Sequence, residues 1–441
     1  MSNVIEYKCP NCGGSLKFDS STQKVVCPQC KTEFDAEAID SFKEELENAK
    51  GDELNWKTVT SEFSSEEASS MNVYHCDSCG AEIVGDENVS ATTCPFCESP
   101  VILKGRLCGA LKPDLIIPFK YDKASTKEIM SRYLKSKFFL PKIFRSENKI
   151  ENVKGIYEPF WIYNADVVGK VFFNAERSRS YISGDYQITE VSHYRIMIDG
   201  KAGFDNIPVD ASQSMPDELM ESIEPFDYEG IKEFTPVYLA GYLSDKYDVS
   251  KDDCAIRANQ RFREGTADKF RETINTYTSV RLDSTSLNLE NAEARYALFP
   301  VWILNSKWKD KKFTFSMNAQ TGKIVGNLPC SAGKYAAFFA LFYVLTAAVI
   351  GLLMYLFAAS DGAAVTNWTL IIFASFFFGW IPGLIFCEYH RRALKPVKLQ
   401  KGAKTYYRQG SMDIYKRKDA YLYTTRTRVK ISSSSDRNGK K

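Results

Sequence analysis

One cysteine frame is written twice near the start of this 441-residue chain: Cys9-x2-Cys12 with Cys27-x2-Cys30, and Cys76-x2-Cys79 with Cys94-x2-Cys97, each with 14 residues between its two pairs. Two sulfurs three positions apart on a tight turn grip one side of a metal ion, and a second such turn closes a tetrahedron around Zn²⁺. Glycine follows the second cysteine of each frame (Gly13, Gly80), where a positive φ is useful, and proline follows the third (Pro28, Pro95). The pattern is that of two zinc ribbons, with Cys9, Cys12, Cys27 and Cys30 on one ion and Cys76, Cys79, Cys94 and Cys97 on the other. Four thiolates leave no open position for water or substrate, so both ions are expected to be structural. A ribbon of this size cannot bury a core and would fold only with its metal.

The same frame could serve as a redox pair, a disulfide scaffold or a four-thiolate iron site; spacing and duplication favour zinc. A disulfide scaffold needs an oxidising compartment, and Met1 to Tyr7 hold no apolar stretch that could act as a signal peptide. Reduced thiols are therefore expected. The other four cysteines, Cys108, Cys254, Cys330 and Cys387, follow no pattern and read as ordinary buried thiols.

Near the other end, Ala336 to Ala359 gives 24 uncharged residues and Trp368 to Cys387 another 20, joined by the eight-residue connection Ser360 to Asn367. At about 1.5 Å per residue these reach roughly 36 and 30 Å, against a hydrocarbon core of about 30 Å. Either run alone could be a buried core helix; two joined by a short turn read as a transmembrane hairpin. Lys334 precedes the first, and Arg391, Arg392, Lys395 and Lys398 follow the second, while the connection holds one Asp and no basic residue. Both termini are then expected in the cytosol of a multi-pass cell-membrane protein. Neither span carries a charge, which suits anchoring better than transport. Gly379 and Gly383 have the small-xxx-small spacing of close helix contact, or they ease a kink at Pro382.

Residues 391–441 carry 16 Lys/Arg against three Asp, a charge of +13, so the preceding 390 residues sum to 2 − 13 = −11. This basic tail (390–441), just after a span, suggests anionic lipid headgroups as a partner. Solvated charge that enforces topology, or a fold-back onto the acidic part of the chain, are the other options; Ala420 to Ile431 alternates as a strand would. Around the second frame, Asp77, Glu82, Asp86, Glu87 and Glu98 face only Lys104, so phosphate would be repelled and nucleic acid is an unfavourable partner for the ribbons. Protein contact is the better expectation.

Between these landmarks, residues 36–50 read as an acidic helix and Ser61 to Ser70 as a flexible linker, leaving the ribbons (1–35 and 73–107) as separate beads, with docking on the larger domain an option for the second, which leads directly into it through Val101 to Leu107. Residues 108–330 suggest an α+β domain, with helices at about Thr126 to Phe139, capped by Ser125 and Glu128, and about Lys251 to Glu272, capped by Ser250 and Asp253. Alternating runs at Gln187 to Ile198, Tyr277 to Leu289 and Lys312 to Met317 read as antiparallel strands, and Asn318 to Lys323 as a hairpin turn. Pro159-Phe-Trp-Ile-Tyr-Asn164 recurs as Pro300-Val-Trp-Ile-Leu-Asn305, which suggests an internal duplication into two lobes packed face to face. Three histidines (His75, His193, His390) in no acid–base arrangement, and no phosphate loop or nucleophile elbow, leave no catalytic residue to nominate. His75, beside Cys76, could be an alternate ligand.

Taken together, the paired ribbons, Ile117-Pro-Phe119, Tyr157-Glu-Pro-Phe-Trp161, Tyr238-Leu-Ala-Gly241, Asn318-Ala-Gln-Thr-Gly-Lys323 and the C-terminal hairpin resemble, over nearly the whole chain, a family of bacterial membrane proteins. These are labelled TFIIB-type zinc-ribbon or primosomal helicase-like proteins; no helicase motor motif accompanies the knuckles here. The resemblance implies an envelope-stress setting beside phage-shock protein A, an SPFH (flotillin-like) protein and a second small membrane protein. The expected molecule is multidomain: two zinc ribbons, a cytosolic α+β domain, a two-helix transmembrane hairpin (336–359, 368–387, within 335–389) and a basic tail. Its expected role is a non-enzymatic membrane scaffold. A membrane-tethered nucleic-acid-binding ribbon protein, or an enzyme with a cleft between the two Trp-containing lobes, are the alternatives.

Overall fold

The computed structural model describes residues 7, 9, 12–36, 51–58, 60–86, 93–106, 111–145, 150–309, 311–360, 378, 380–397 and 402–431. The first ribbon is a three-stranded meander of β1 (Lys17–Asp19), β2 (Lys24–Val26) and β3 (Glu33–Phe34). The acidic helix expected at 36–50 lies outside the described residues beyond position 36. Short β4 (Lys57–Thr58) follows, and then α1 (Ser65–Ser69), inside the run read as a flexible linker. That linker is ordered for a local reason: Ser64 and Glu67 form a reciprocal capping box, and Glu67 also pairs with Lys112 at 2.7 Å. Upstream, Asp52 accepts from Arg263 Nε (2.6 Å), Thr285 Oγ1 and the Leu287 amide (both 3.0 Å), and Trp56 Nε1 donates to Asn259 (2.8 Å).

Everything else soluble joins one 13-stranded sheet. In chain order its members after β4 are β5 (Met71–His75), β6 (Glu82–Asp86) and β7 (Ile102–Arg106) from the second ribbon, then β8 (Leu115–Ile116), β9 (Lys154–Ser183) and β10 (Tyr186–Asp210). There follow β11 (Lys232–Glu233), β12 (Leu243–Asp245), β13 (Ser279–Trp308), β14 (Lys311–Asn318), β15 (Ile324–Gly326) and β16 (Asp413–Lys430). The spine is β9 and β13, 30 residues each, antiparallel from Lys154↔Ile303 to Glu176↔Ser279. Ile156 to Tyr163 are all buried, so this stretch is covered on both faces and its sequence is apolar at consecutive positions rather than at alternate ones. Gly169 is required where the spine strands close up: a Cβ there would stand 2.2 Å from the Ser286 carbonyl oxygen.

The alternating runs and the 318–323 turn fall in β10, β13 and the β14–β15 hairpin, where Asn318 N donates to the Lys323 carbonyl at 2.9 Å. The two Pro-x-Trp-Ile-x-Asn segments, however, do not form separate lobes. They lie on adjacent antiparallel strands, with Pro159 opposite Leu298 and Pro300 opposite Tyr157, so no cleft between lobes exists. Trp161 and Trp302 pack into different apolar clusters.

The described residues include four longer helices, along with the short α3 (Asp217–Ser222). Of these, α2 (Lys123–Ser136) starts three residues before the expected position because Asp122, not Ser125, is its cap, accepting from the Ser125 amide at 2.8 Å. It ends before Phe138 and Phe139, which leave it to meet the apolar hairpin, and Pro141 closes off any continuation. α4 (Lys251–Arg271) runs where expected, capped by Ser250, and buries Cys254, Ala258, Phe262 and Phe270 on the sheet.

Of the membrane pair, α5 (Ala332–Ser360) contains Ala332–Leu356, long and apolar enough to cross a bilayer at mean hydropathy 2.4, with none of its most apolar stretch buried. It is the one such helix among the described residues. The second run is described only from Phe378, as α6 (Trp380–Arg392); residues 368–377 and 379 lie outside. α6 packs on α5, with Phe386 stacked on Phe342 at 4.3 Å and Gly383 facing the Phe342 Cβ, which is the close-contact use of that glycine.

The basic tail is not an appendage. β16 pairs with β10 from Lys201↔Asp413 to Tyr186↔Lys430, the fold-back option, and Arg426 and Arg417 are engaged by Glu190 and Asp419.

Candidate metal centres

Each cysteine frame brings its four sulfurs together by repeating one knuckle. The amide four residues after the leading cysteine donates back to its carbonyl: Gly13 to Cys9, Lys31 to Cys27 and Gly80 to Cys76 at 2.8 Å, and Glu98 to Cys94 at 3.1 Å. That fifth residue turns left-handed in every knuckle, at φ 75° for Gly13, 56° for Lys31, 80° for Gly80 and 64° for Glu98. Glycine meets the requirement in two of the four; Lys31 and Glu98 adopt it against their preference.

The cross-knuckle sulfur separations are 3.6 Å (Cys9–Cys30) and 3.5 Å (Cys12–Cys27) in the first set, and 3.4 Å (Cys76–Cys97) and 3.7 Å (Cys79–Cys94) in the second. All four sulfurs of a set lie within 4.8 Å of one another. Sulfurs 2.3 Å from one tetrahedral ion stand about 3.8 Å apart, so both sets can hold a metal ion of zinc's size with little movement. His75 stays outside: its ring points to Asp77, Nε2 to Oδ1 at 3.7 Å.

Two further residues were not anticipated. Thr32 Oγ1 lies 3.1 Å from Cys30 Sγ, and its hydroxyl and amide draw that thiol down to about 6. In the second set burial works against Cys97, yet the Ser99 hydroxyl and amide, with Cys76, also bring it to about 6. A hydroxyl residue two places after the last cysteine, present in both frames, is the trace of this in the sequence. Burial pushes Cys79 up to about 11 and Cys94 higher, protons a bound metal must displace.

The two centres differ in setting. Cys9, Cys27 and Phe34 of the first rest on Leu422 and Tyr423 of β16, Phe34 meeting Tyr423 edge-on at 5.4 Å, and Tyr423 stacks on His193 at 4.4 Å. The second is built into the sheet: β6 pairs with β12, and Cys76, Cys94 and Phe96 share an apolar cluster with Phe160, Ile162 and Phe299. Far from being a separate bead, its 93–97 knuckle is clamped by Asn305 Nδ2, which donates to the Pro95 and Phe96 carbonyls (2.7 and 3.0 Å), and by Lys154, which donates to Thr93 Oγ1 (2.6 Å).

Three carboxyl groups of the sheet domain are withdrawn from solvent. Glu158, Asp210 and Asp245 are buried on or beside β9, and neither carboxylate oxygen of Glu158 or Asp210 has a hydrogen-bond partner. Burial foremost, then the charges of Asp245 and Asp210, raises Glu158 well above the usual range; burial likewise raises Asp210, against Arg257. Burial lifts Asp245 to about 7, although Ser212 donates to it at 2.5 Å. The folded chain therefore keeps protons that unfolded carboxylates release above pH about 4, so stability falls as pH rises toward the folded values, which for Asp245 means up to about 7. Each such carboxyl costs roughly 1.4 kcal/mol per pH unit crossed. Thermal melts from pH 5 to 7 should show a falling Tm, and Glu158→Gln should flatten the slope. A flat or rising wild-type Tm over that interval would contradict this account.

A comparison with curated proteins finds 34% identity over 336 residues with the protein YdjG of Bacillus subtilis (strain 168), described as uncharacterized, covering 76% of this chain and 93% of the relative. No family profile matches the chain, and no solved structure matches it.

Proposed function

The chain belongs to the family of Bacillus subtilis YdjG, and from that premise we propose that it is a non-enzymatic scaffold that holds cytosolic proteins at the inner face of the cell membrane. The observation that carries this is the pairing of β10 with β16. One strand precedes α5 and the other follows α6, yet they share a sheet, so both lie on one side of any bilayer that α5 enters. The number of crossings is then even, which supports a returning second span through residues 368–387. The basic flanks Lys334, Arg391 and Arg392 support cytosolic placement of the sheet and both termini.

Both metal sets are filled by Zn²⁺ in this reading. Their closed coordination suits them to shaping docking surfaces rather than to chemistry. The partners expected by resemblance are phage-shock protein A, an SPFH-type protein and a second small membrane protein, with envelope stress as the setting. The full chain, purified from detergent-solubilised membranes, should carry two equivalents of zinc and bring such proteins with it, before and after nuclease treatment. Recovery of nucleic acid alone, lost steeply with salt, would overturn the scaffold in favour of a tethered nucleic-acid binder.

A further inference from the structure

Between α2 and the sheet, residues 137–145 wrap the base of the apolar helix pair. Phe138 meets Phe338 at 4.4 Å and His390 at 5.4 Å; the Phe139 carbonyl accepts from the Ser331 amide at 2.9 Å. Lys334 Nζ donates to the Leu140 carbonyl (2.8 Å) and Lys137 Nζ to the Ala393 carbonyl (3.1 Å). This segment, the start of α5 and the end of α6 therefore form one collar at the level where the apolar surface begins.

Its composition is one-sided. Residues 137–145, 331–336 and 388–397 hold seven Lys/Arg and one acid, Glu388, which is taken by Arg391 (2.8 Å) and Tyr335 (3.3 Å). Lys142 and Arg145 lie close enough to Lys334 to repel it. Lys142, Arg392 and Lys395 are exposed, and so are two large apolar side chains of the same segment, Phe138 (37%) and Ile143 (45%). Crowded cations without acids are unfavourable alone and are relieved by a layer of anions. Exposed apolar side chains beside them, at the mouth of an apolar helix, are the composition of a segment lying in a membrane interface.

We propose that residues 137–145, with Lys334, Arg392 and Lys395, form a platform that binds the headgroups of anionic phospholipids in the leaflet from which α5 departs. The proposal rests on the membrane-anchored reading above. It assigns headgroup contact to the collar and not to the basic strand β16, where Arg417 and Arg426 are committed to Asp419 and Glu190.

The test uses the full chain in nanodiscs of phosphatidylcholine alone or mixed with phosphatidylglycerol, with amide hydrogen exchange as the readout. Amides of 138–145 should exchange more slowly in the anionic discs, by about fivefold for each basic residue engaged, the equivalent of ~1 kcal/mol per charge near an anionic surface. High salt should erase the difference. Lys142→Glu with Lys395→Glu, both at exposed positions, should erase it as well while leaving the thermal transition in place, and Lys416→Gln with Lys418→Gln in β16 should not. Equal exchange in the two disc types, or a difference abolished only by the β16 changes, would overturn the platform alone. A chain that fails to enter discs at all would overturn the membrane span and the platform with it.

Discussion

Exchange of Cys94 for serine is expected to lower the Tm of the whole sheet domain by roughly 10 °C or more, whereas Cys27→Ser should leave that transition nearly where it was. The asymmetry follows from where each centre sits. Cys94 and Phe96 are buried beneath the spine strands, and the carbonyls around them accept from Asn305 and Lys154. An unmetallated knuckle cannot keep Phe96 in place, and emptying a phenylalanine site costs about 3–5 kcal/mol before the stranded donors are counted. At about 2–4 °C per kcal/mol for a domain of this size, that alone is a fall of about 6–20 °C, and the stranded donors add to it. The first centre touches the sheet through Leu422 and Tyr423, so its loss unfolds a ribbon and little more. Calorimetry with metal analysis of each variant checks both halves: one zinc lost in each, one large shift. Equal shifts in the two variants would mean the second ribbon is as detachable as the first.

The next largest effect belongs to Glu224. It receives Arg261 through two hydrogen bonds, Nη1 to Oε1 at 3.0 Å and Nη2 to Oε2 at 2.7 Å, and both side chains are nearly inaccessible. Arg261 also donates to the Pro208 carbonyl at 2.7 Å, and Tyr406, which follows α6 in the chain, donates to Glu224 at 2.6 Å. Burial works against the guanidinium charge; Glu224 more than restores it. Glu224→Ala strands that charge, at an expected cost of about 3–5 kcal/mol in denaturant unfolding. Arg261→Met together with Glu224→Leu should recover most of the loss, since an apolar pair of similar volume removes the stranded charge along with its partner. Tyr406→Phe should cost about 1–2 kcal/mol. A neutral Glu224→Ala would show that water reaches Arg261.

The local features of this molecule were legible and the long-range ones were not. Cysteine spacing determines a knuckle within six residues, so both sulfur sets assemble as their sequence implies. The apolar helix was equally plain, because length and composition suffice. By contrast, nothing near Cys94 announces that Asn305 will clamp its knuckle 209 residues away, and so a ribbon that reads as a bead is built into the domain. The Ser/Glu-rich run at 61–70 looked unstructured by composition; Lys112, on a distant part of the chain, gives Glu67 a partner. Repetition of Pro-x-Trp-Ile-x-Asn was visible, but antiparallel neighbours in one sheet repeat a strand pattern as readily as duplicated lobes do. Glu158 and Asp245 could not be told from surface acids, because burial belongs to the assembled sheet and not to the residue.

The strand that covers β10 comes long after it in the chain. A ribosome delivers β10 well before β16, with α5 and α6 in between, so the outer edge of β10 stays bare until β16 has been made. A bare edge from Tyr186 to Lys201 is a template for wrong partners. The alternation of Tyr, Arg and Thr along β16 can satisfy that edge only once α5 and α6 have been made and have packed on one another. Closure of the sheet is therefore timed by the synthesis and pairing of two apolar helices that are not part of it.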